Sequence, residues 1–345
     1  MGARESELGG LFSEAEKRRS CLATCDARLR DALRRAMMRG EAIRPAKGVY
    51  ARTAYWDRLP DRDRSLHVLR ALQQAHPNWV FCSSSAAVAY DMPVPFASMS
   101  EIHVATSRSR RNRAAKDVAF HAMPEGEPVF SVAGINVVSF ERTLFDCMRA
   151  ADFGRALAFA DVALRSGRSK GKLLAYFREV GWNCSGALRA ERALLYADGR
   201  SESAGESVAR ANMIELGFAL PDLQVSFERP LERNRSYRVD FLWMREDGTR
   251  VIGEFDGRGK YEDAALRGNR SAVRVLEDER KRESLLSLYG MPIVRFSYRD
   301  VTDKAYFARL LESFGIPRRV EAAEEHRRME RSRLLAAKTF SIAPF

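Results

Sequence analysis

The spacing of apolar residues predicts three folded segments along the chain. From residue 10 to residue 40 the apolar positions recur at helical intervals, and Gly40 is placed to end the last helix. The next stretch predicts a strand, a turn and a returning strand, at 42–44, 45–48 and 49–52. Helices followed by a small β-wing are typical of a winged helix-turn-helix, which we assign to residues 1–60.

The second segment, 61–185, mixes helical and strand periodicities and predicts an α+β domain. Strands are expected at 79–82, 101–106, 117–121 and 135–138. Helices are expected at 64–75, 83–95, 153–165 and 171–179, together with one that begins after an N-cap at Ser139. Residues 181–200 are expected to form a connector or an entering helix.

The third segment, 195–315, alternates helix and strand again. The pattern predicts a helix closed by Gly217, a strand, a hairpin, a long helix and a last strand, at 206–216, 223–227, 237–255, 275–289 and 292–297. Residues 316–345 predict at most a basic amphipathic helix. The expected fold class is therefore α/β, in the form of an α+β multidomain chain.

Charge narrows the class of partner. The 345 residues include 58 Lys and Arg against 46 Asp and Glu, a net charge of +12, which favours a polyanion such as double-stranded DNA. An arginine-rich composition also occurs in enzymes from GC-rich genomes, so the charge alone leaves both interpretations open. In the winged segment the candidate DNA contacts are Arg28, Arg30, Arg34, Arg35 and, on the wing, Arg52. A helical hairpin with solvated arginines is the alternative.

Other features of the composition argue against several classes of protein. No apolar run reaches the roughly 18 to 20 residues of a membrane span, and the start of the chain has no apolar signal-peptide core. We therefore expect a cytoplasmic protein without a membrane partner. The five cysteines complete no zinc site and are expected to be free thiols.

The candidate chemistry lies on the predicted hairpin. Its loop sets a register in which Asp240 faces Glu254, with the two Cβ atoms about 5 Å apart. Asp256 lies two residues beyond Glu254 and points to the same face, so three carboxylates converge. The apolar residues expected to face the core are Val239, Phe241, Ile252 and Phe255.

Three carboxylates on one patch of sheet repel each other, and a divalent cation removes that repulsion. Oxygen-only ligands suit Mg²⁺ or Mn²⁺, which bind through a few carboxylates together with substrate phosphate. Such an ion activates water and stabilises the charge that develops on a phosphate being cut. The alternative is a solvated face whose carboxylates pair with Arg238, Arg250 and Arg258, and a register slip of one residue would also separate them.

Four neighbouring residues have two interpretations each. Lys260 can orient a water or bind phosphate, or it can be a surface lysine. Glu206 can reach the metal from its helix, or it can complete a capping box with Ser203. Arg280 and Arg282, on the long helix after the hairpin, can bind DNA phosphate or form a solvated face.

Several motifs between Gly205 and about Val301 share one family pattern. They are Glu206 on a helix, Val239-Asp240-Phe241, Glu254-Phe255-Asp256-Gly257, the pair Arg280 and Arg282, and Val294-Arg295-Phe296-Ser297. This stretch resembles the PD-(D/E)XK nuclease superfamily, in particular the branch related to the very-short-patch repair endonuclease. The resemblance implies a metal-dependent endonuclease with a mixed four-stranded sheet flanked by helices. The superfamily has a lysine two residues after the glutamate. This chain has Asp256 at that position, and Lys260 is a candidate replacement for the lysine.

Shorter motifs between about 10 and 180 suggest a second family. They are the wing residues Gly48, Val49, Tyr50 and Arg52, the small-residue helix SSSAAVAY, and the stretch Val138–Asp146. They resemble the AbiEi-type antitoxin of type IV toxin–antitoxin systems. That resemblance implies a winged-helix DNA-binding domain that regulates its own transcription, with a cognate toxin as a candidate partner. A homodimer is a further candidate assembly.

Three functional hypotheses follow from the sequence. The first is a Mg²⁺-dependent DNA endonuclease, delivered to its target by the winged helix and acting in phage defence. The second is a transcriptional regulator or antitoxin whose nuclease-like domain does not cut. The third makes the C-terminal domain a dimerisation or scaffold module only.

Overall fold

The computed structural model describes residues 3–94, 101–106, 117–181, 183–229, 231–257, 277 and 280–319. The chain divides into two compact units, Met1–Ala150 with Ala175–Ala187, and Ala151–Leu174 with Leu188–Phe345. Both units combine helices with β-sheet, so the predicted α/β multidomain class is confirmed. No helix in these ranges has the length and apolar character that a membrane span requires.

Two helices and a three-stranded antiparallel sheet begin the first unit. The elements are α1 (Ala3–Lys17), β1 (Leu22–Ala23), α2 (Arg30–Met38), β2 (Ala42–Ala46) and β3 (Val49–Arg52), with the strands in the order β1-β3-β2. Strand β1 interrupts the helical pattern predicted over 10–40. The predicted wing is present, but Pro45 lies in β2 rather than in the turn. β2 is an edge strand, where a residue without an N–H is tolerated.

The rest of the first unit is a mixed five-stranded sheet with its helices. In chain order the elements are α3 (Thr53–Trp56), α4 (Asp61–Ala75), β4 (Val80–Phe81), α5 (Ser83–Ala89), β5 (Ile102–Thr106), β6 (Val118–Ala122), β7 (Val129–Val132), β8 (Ile135–Val138) and α6 (Phe140–Ala150). The strand order is β6-β5-β4-β8-β7. The Ser139 hydroxyl accepts the Arg142 N–H at 3.1 Å, so the predicted N-cap of α6 is confirmed.

Two features of this unit differ from the sequence prediction. β7 is mostly exposed and therefore lacks the alternation that would reveal it, and it joins β8 through Ala133 and Gly134, both at positive φ. The predicted boundary after residue 60 does not separate two compact units. Val49 of the wing packs in the same apolar cluster as Leu66 and Phe81, so the two predicted domains share a core.

The second unit is built on a mixed four-stranded sheet in the order β12-β11-β10-β9, as the nuclease resemblance implies. In chain order its elements are α7 (Phe153–Arg165), α8 (Lys170–Val180, which crosses the division between the units), α9 (Ala187–Tyr196), α10 (Ala204–Leu216), β9 (Asp222–Arg229), β10 (Glu232–Met244), β11 (Arg250–Asp256), a helix at 280–287, β12 (Ile293–Ser297), and the helices Tyr298–Thr302 and Lys304–Ser313. Strands β11 and β12 are parallel, and the other neighbours are antiparallel.

Helix α7 belongs to this second unit, although the sequence places it in the middle domain. Its Asp161 is fully buried and accepts hydrogen bonds from the Ser207 hydroxyl at 2.7 Å and from Arg210 Nη1 at 2.8 Å, both on α10. Asp161 also accepts the Asp198 N–H at 2.7 Å. Burial raises the pKa of Asp161, and the Arg210 guanidinium opposes that rise. A buried ion pair therefore fixes α7 to α10.

Three histidines of the first unit, of which His67 is buried and His103 and His121 are half-buried, make polar contacts within the protein. His67 Nδ1 lies 2.6 Å from the Asp63 carbonyl oxygen, and its Nε2 lies 2.9 Å from the Tyr55 hydroxyl. His103 Nδ1 lies 2.8 Å from His121 Nε2. Burial lowers the pKa of each imidazole below its ordinary value of 6.5.

We expect the first unit to lose stability as the pH falls below about 6.5. An imidazole whose pKa is lowered by folding binds fewer protons in the native state than in the unfolded state. Its contribution to the free energy of unfolding is complete above the unfolded pKa and is lost as the pH falls towards the folded pKa. Hydrogen exchange of first-unit peptides, from about pH 7.5 to about pH 5.5, measures this. His67→Gln should flatten the dependence, and a profile that is level in the unsubstituted protein would contradict it.

Candidate active site

The hairpin of β10 and β11 has the register that the sequence predicts. Phe241 lies opposite Gly253 as the last pair of the ladder. One residue further, the same register sets Asp240 opposite Glu254. At this position a side chain replaces the backbone in the ladder, because Asp240 Oδ2 accepts the Phe255 N–H at 2.8 Å. The two carboxylates are therefore neighbours at the end of the ladder.

Strand β10 changes face at Asp240. The sheet carries one apolar cluster shared with α10, which includes Phe241, and another shared with the 280–287 helix, which includes Val239. Both residues are fully buried in the core, as predicted. Residues two apart share a face in a regular strand, so their places in two different clusters mark an irregularity of β10 at Asp240. Across from Asp240 on β9, Gln224 has a φ of 55°, a conformation that residues other than glycine adopt mainly at turns and functional sites.

Glu254 is a buried acid with an arginine partner. Glu254 is 7% exposed, and its Oε1 accepts a hydrogen bond from Arg282 Nη2 at 2.7 Å. Burial raises the pKa of Glu254 to about 7, even though the hydrogen bond and charge of Arg282 lower it. The charge of Asp240 adds to the rise. The site therefore holds two interacting carboxylates and one guanidinium.

Asp256 does not join that pair. Arg295 Nε, on the parallel strand β12, donates to Asp256 Oδ1 at 3.2 Å. Arg295 also pairs with Glu283 at 3.4 Å. Among the residues that the structure describes, no three His, Cys, Asp or Glu side chains are grouped so that they could hold a metal ion. The structure thus brings together two of the three predicted metal ligands, and the arginines that pair with them are not the ones named in the alternative.

Glu206 lies in the first turn of α10, which Ser203 caps, and it interacts with the charge of Asp240. The Ser203 hydroxyl accepts the Glu206 N–H at 3.1 Å, which is one half of the predicted capping box. The Glu206 carboxylate accepts the Glu202 N–H at 2.9 Å and the Gln224 side-chain amide at 3.1 Å. Burial raises the pKa of Glu206, and the charge of Asp240 contributes to the rise. The capping interpretation of Glu206 is therefore confirmed in part, its metal-binding interpretation stays a prediction, and Gln224 is a neighbour of Glu206 that periodicity does not reveal.

Gly205 sets the approach of α10 to β11. A Cβ added to Gly205 would lie 2.2 Å from the Phe255 ring, a distance that no packing tolerates. Only glycine at this position lets the start of α10, with Glu206, lie against the strand that carries Glu254.

Gly205→Ala is expected to destabilise the second unit by about 1–3 kcal/mol and to move Glu206 away from the sheet, because the ring and helix must separate. Urea unfolding measures the first effect. Gly171→Ala, at the second position of α8 as Gly205 is of α10, is the matched control, since an added Cβ meets nothing closer than 4.0 Å there. Equal stability of the two variants would contradict the packing argument.

The predicted DNA-contacting arginines of the first unit have different surroundings. Arg28, Arg34 and Arg35 are exposed, with acidic partners within 4 Å at Asp26, Asp31 and Glu5. Arg30 is exposed and makes no ion pair with any residue that the structure describes. Arg52 is half-buried, and its Nη2 donates to the Gly9 carbonyl and the Ser13 hydroxyl, both at 2.6 Å. Arg52 therefore holds β3 to α1.

The remaining predicted site residues lie around the second-unit sheet. Arg280 is exposed on the 280–287 helix, whereas Arg282 binds Glu254. Arg238 pairs with Glu202 at 2.6 Å rather than with the candidate metal ligands. Lys260 and Arg258 lie outside the described residues. The cysteines are free thiols, as predicted.

No protein-family model matches the chain. The chain is similar to two curated proteins of Mycobacterium tuberculosis, "Uncharacterized protein MT2308" of strain CDC 1551 / Oshkosh and "Uncharacterized protein Rv2248" of strain ATCC 25618 / H37Rv. Each is 40% identical over 89 residues, which is 26% of this chain and 32% of the relative. The chain thus spans about a third of the length of the curated relatives it matches.

Proposed function

We propose that the second unit is the core of a metal-dependent DNA endonuclease, with Asp240 and Glu254 as its metal-binding carboxylates. The observation that carries the proposal is the burial of Glu254 beside the charge of Asp240, where β10 changes face. A buried carboxylate beside a second, half-buried carboxylate persists only with a positive charge next to it. Arg282 supplies one such charge, so the position already accommodates a cationic group.

The donor set fits Mg²⁺ or Mn²⁺. Asp240 and Glu254 offer hard carboxylate oxygens, and one oxygen of each already has a protein donor that orients it, the Phe255 N–H and Arg282. When bound, such an ion supplies an activated water and stabilises charge on a scissile phosphate. The Glu206 carboxylate accepts a hydrogen bond from the side-chain amide of the neighbouring Gln224, and we assign Glu206 a positioning role.

A cleavage assay tests the proposal. Supercoiled plasmid incubated with the full chain should be nicked or linearised with Mg²⁺ or Mn²⁺, and should stay intact when EDTA is present. Because burial raises the pKa of Glu254 to about 7, the activity should increase with pH through that region as the carboxylate ionises. The absence of cleavage of supercoiled, linear and single-stranded DNA with every divalent ion tried would refute the proposal.

A second candidate function is that of a transcriptional regulator or antitoxin whose nuclease-like unit does not cut. Two observations favour it. Exposed arginines line α2 beside the wing, and Asp256, at the position of the superfamily's lysine, is bound by Arg295. In this case DNA is the ligand of the first unit, and a cognate toxin or a second copy of the chain is the further partner. Phage defence is compatible with either function.

Arg34→Gln is expected to weaken binding to duplex DNA several-fold at about 0.1 M salt and to lower the slope of log affinity against log salt by about 1. Each phosphate contact releases about one counterion, and the Asp31 partner of Arg34 is exposed, so that pair competes weakly. Fluorescence anisotropy over a salt series measures the slope. Arg309→Gln, an exposed arginine of the second unit, changes the net charge equally and should leave the slope unaltered. Equal slopes for both variants would argue against the winged-helix interface.

A further inference from the structure

Arg282 lies inside the candidate site. The sequence allows this residue to contact DNA phosphate or to form part of a solvated face, yet its Nη2 donates to Glu254 Oε1 and to the Arg238 carbonyl oxygen, both at 2.7 Å. The side chain of Arg282 is 26% exposed and that of Glu254 is 9% exposed. Arg282 therefore covers the buried carboxylate from the solvent side.

A guanidinium and a divalent ion compete for the negative charge of Glu254. Arg282 already binds Oε1, so an ion on the same carboxylate would lie beside the guanidinium, and two cations that close at a poorly solvated site repel each other strongly. An ion that binds Glu254 therefore weakens or displaces the Arg282 contact, and that cost reduces the affinity for metal. A free guanidinium at a partly exposed position needs another anionic partner, and phosphate suits its planar fork.

The 280–287 helix places Arg282 where such a partner would arrive. Arg280 and Lys281 precede it and are exposed, so the same turn of helix presents positive charge to solvent. Arg295, in contrast, lies on β12 within the sheet and holds Asp256 and Glu283. Arg282 and Arg295 each bind an acidic residue of the sheet. Only Arg282 of these two lies on an element that also carries exposed basic side chains.

We propose that Arg282 is an internal counter-cation that couples DNA binding to metal binding. In the metal-free protein it neutralises Glu254, and when DNA is bound it transfers to a phosphate and leaves the carboxylate to the ion. Each ligand therefore increases the affinity for the other, by the same factor in both directions. This inference rests on the proposed function, because it takes Asp240 and Glu254 as the metal ligands.

The test measures Mn²⁺ binding to the full chain, with and without a short DNA duplex. Electron paramagnetic resonance reports the concentration of free Mn²⁺. Measurements at about pH 8.5 keep Glu254 ionised after its partner is removed. Arg282→Gln should bind Mn²⁺ about tenfold more tightly than the unsubstituted protein when DNA is absent. Adding duplex should tighten Mn²⁺ binding about tenfold in the unsubstituted protein and hardly at all in Arg282→Gln.

Two further variants complete the design. Arg238→Gln is the matched control. Arg238 contacts Arg282 through its backbone carbonyl, whereas its side chain pairs with Glu202. The Arg238→Gln variant should therefore bind Mn²⁺ like the unsubstituted protein. Arg282→Lys keeps the charge and serves if Arg282→Gln does not fold; it loses the planar fork and should bind Mn²⁺ with intermediate affinity.

The possible outcomes distinguish a failure of the coupling from a failure of the proposed metal site. Equal Mn²⁺ affinities in the unsubstituted protein and the Arg282 variants, with no effect of duplex, would overturn the coupling and leave the metal site in place. The absence of Mn²⁺ binding in every variant, with or without DNA, would overturn the metal site and the coupling together.

Discussion

Asp240→Asn is expected to abolish metal binding by the second unit and to reduce metal-dependent cleavage by at least about a thousandfold. Asparagine has the size of aspartate, and its amide oxygen can still accept the Phe255 N–H, so the end of the ladder should persist. The negative charge that a divalent ion requires is removed, which leaves Glu254 as the remaining carboxylate of the pair. Plasmid cleavage and Mn²⁺ binding measure the two effects.

The same substitution has a readout that does not depend on cleavage. The charge of Asp240 raises the pKa of both Glu206 and Glu254, so Asp240→Asn should lower the pKa of Glu254 from about 7. Carboxyl carbon shifts in an NMR titration report that pKa directly. Asp222→Asn makes the same chemical change at an exposed position of the neighbouring strand β9 and should leave cleavage unaltered. Undiminished cleavage by Asp240→Asn would remove this residue from the proposed site.

The hairpin register could be predicted from the sequence because it depends on local features. A three-residue loop that ends at Gly248, together with two alternating strands, allows few pairings, and the observed register follows from them. What alternation could not reveal is the change of face at Asp240. It coincides with the positive φ of Gln224 on another strand, a conformation that the residue type does not predict.

The partners of the carboxylates could not be predicted for a different reason. The contact of Arg282 with Glu254 and that of Arg295 with Asp256 depend on strand order and helix placement, which join residues far apart in sequence. Local spacing instead pointed to Arg238 and Arg250 as partners. The sequence thus predicted that Asp240 and Glu254 lie together, whereas the separation of Asp256 and the charges that neutralise the acids are properties of the tertiary fold.

The position of α7 shows the same limit on a larger scale. Its helical periodicity gives its bounds, 153–165, correctly, but periodicity contains no information about which unit buries its apolar face. The attachment to α10 depends instead on Asp161, a charged residue in an otherwise apolar position. A buried charge is costly unless it is paired, so the partner of Asp161 decides where the helix packs.

Asp161→Ala is therefore expected to destabilise the second unit by about 3–5 kcal/mol. The substitution leaves the guanidinium of Arg210, whose side chain is 5% exposed, buried without its counter-charge, and it removes an acceptor from Ser207 and from the Asp198 N–H. Urea unfolding of the full chain, with hydrogen exchange to locate the effect in second-unit peptides, measures the loss.

Two comparisons decide whether the buried pair is the cause. Asp152→Ala, on the same helix, removes only an exposed N-cap and should cost about 1 kcal/mol. The double variant Asp161→Leu with Arg210→Met replaces the pair with apolar side chains and should recover most of the stability that Asp161→Ala loses, because the large penalty comes from the unpaired charge rather than from the missing attraction. If Asp161→Ala costs no more than Asp152→Ala, the ion pair does not hold α7 on α10, and the apolar face of the helix alone assigns it to this unit.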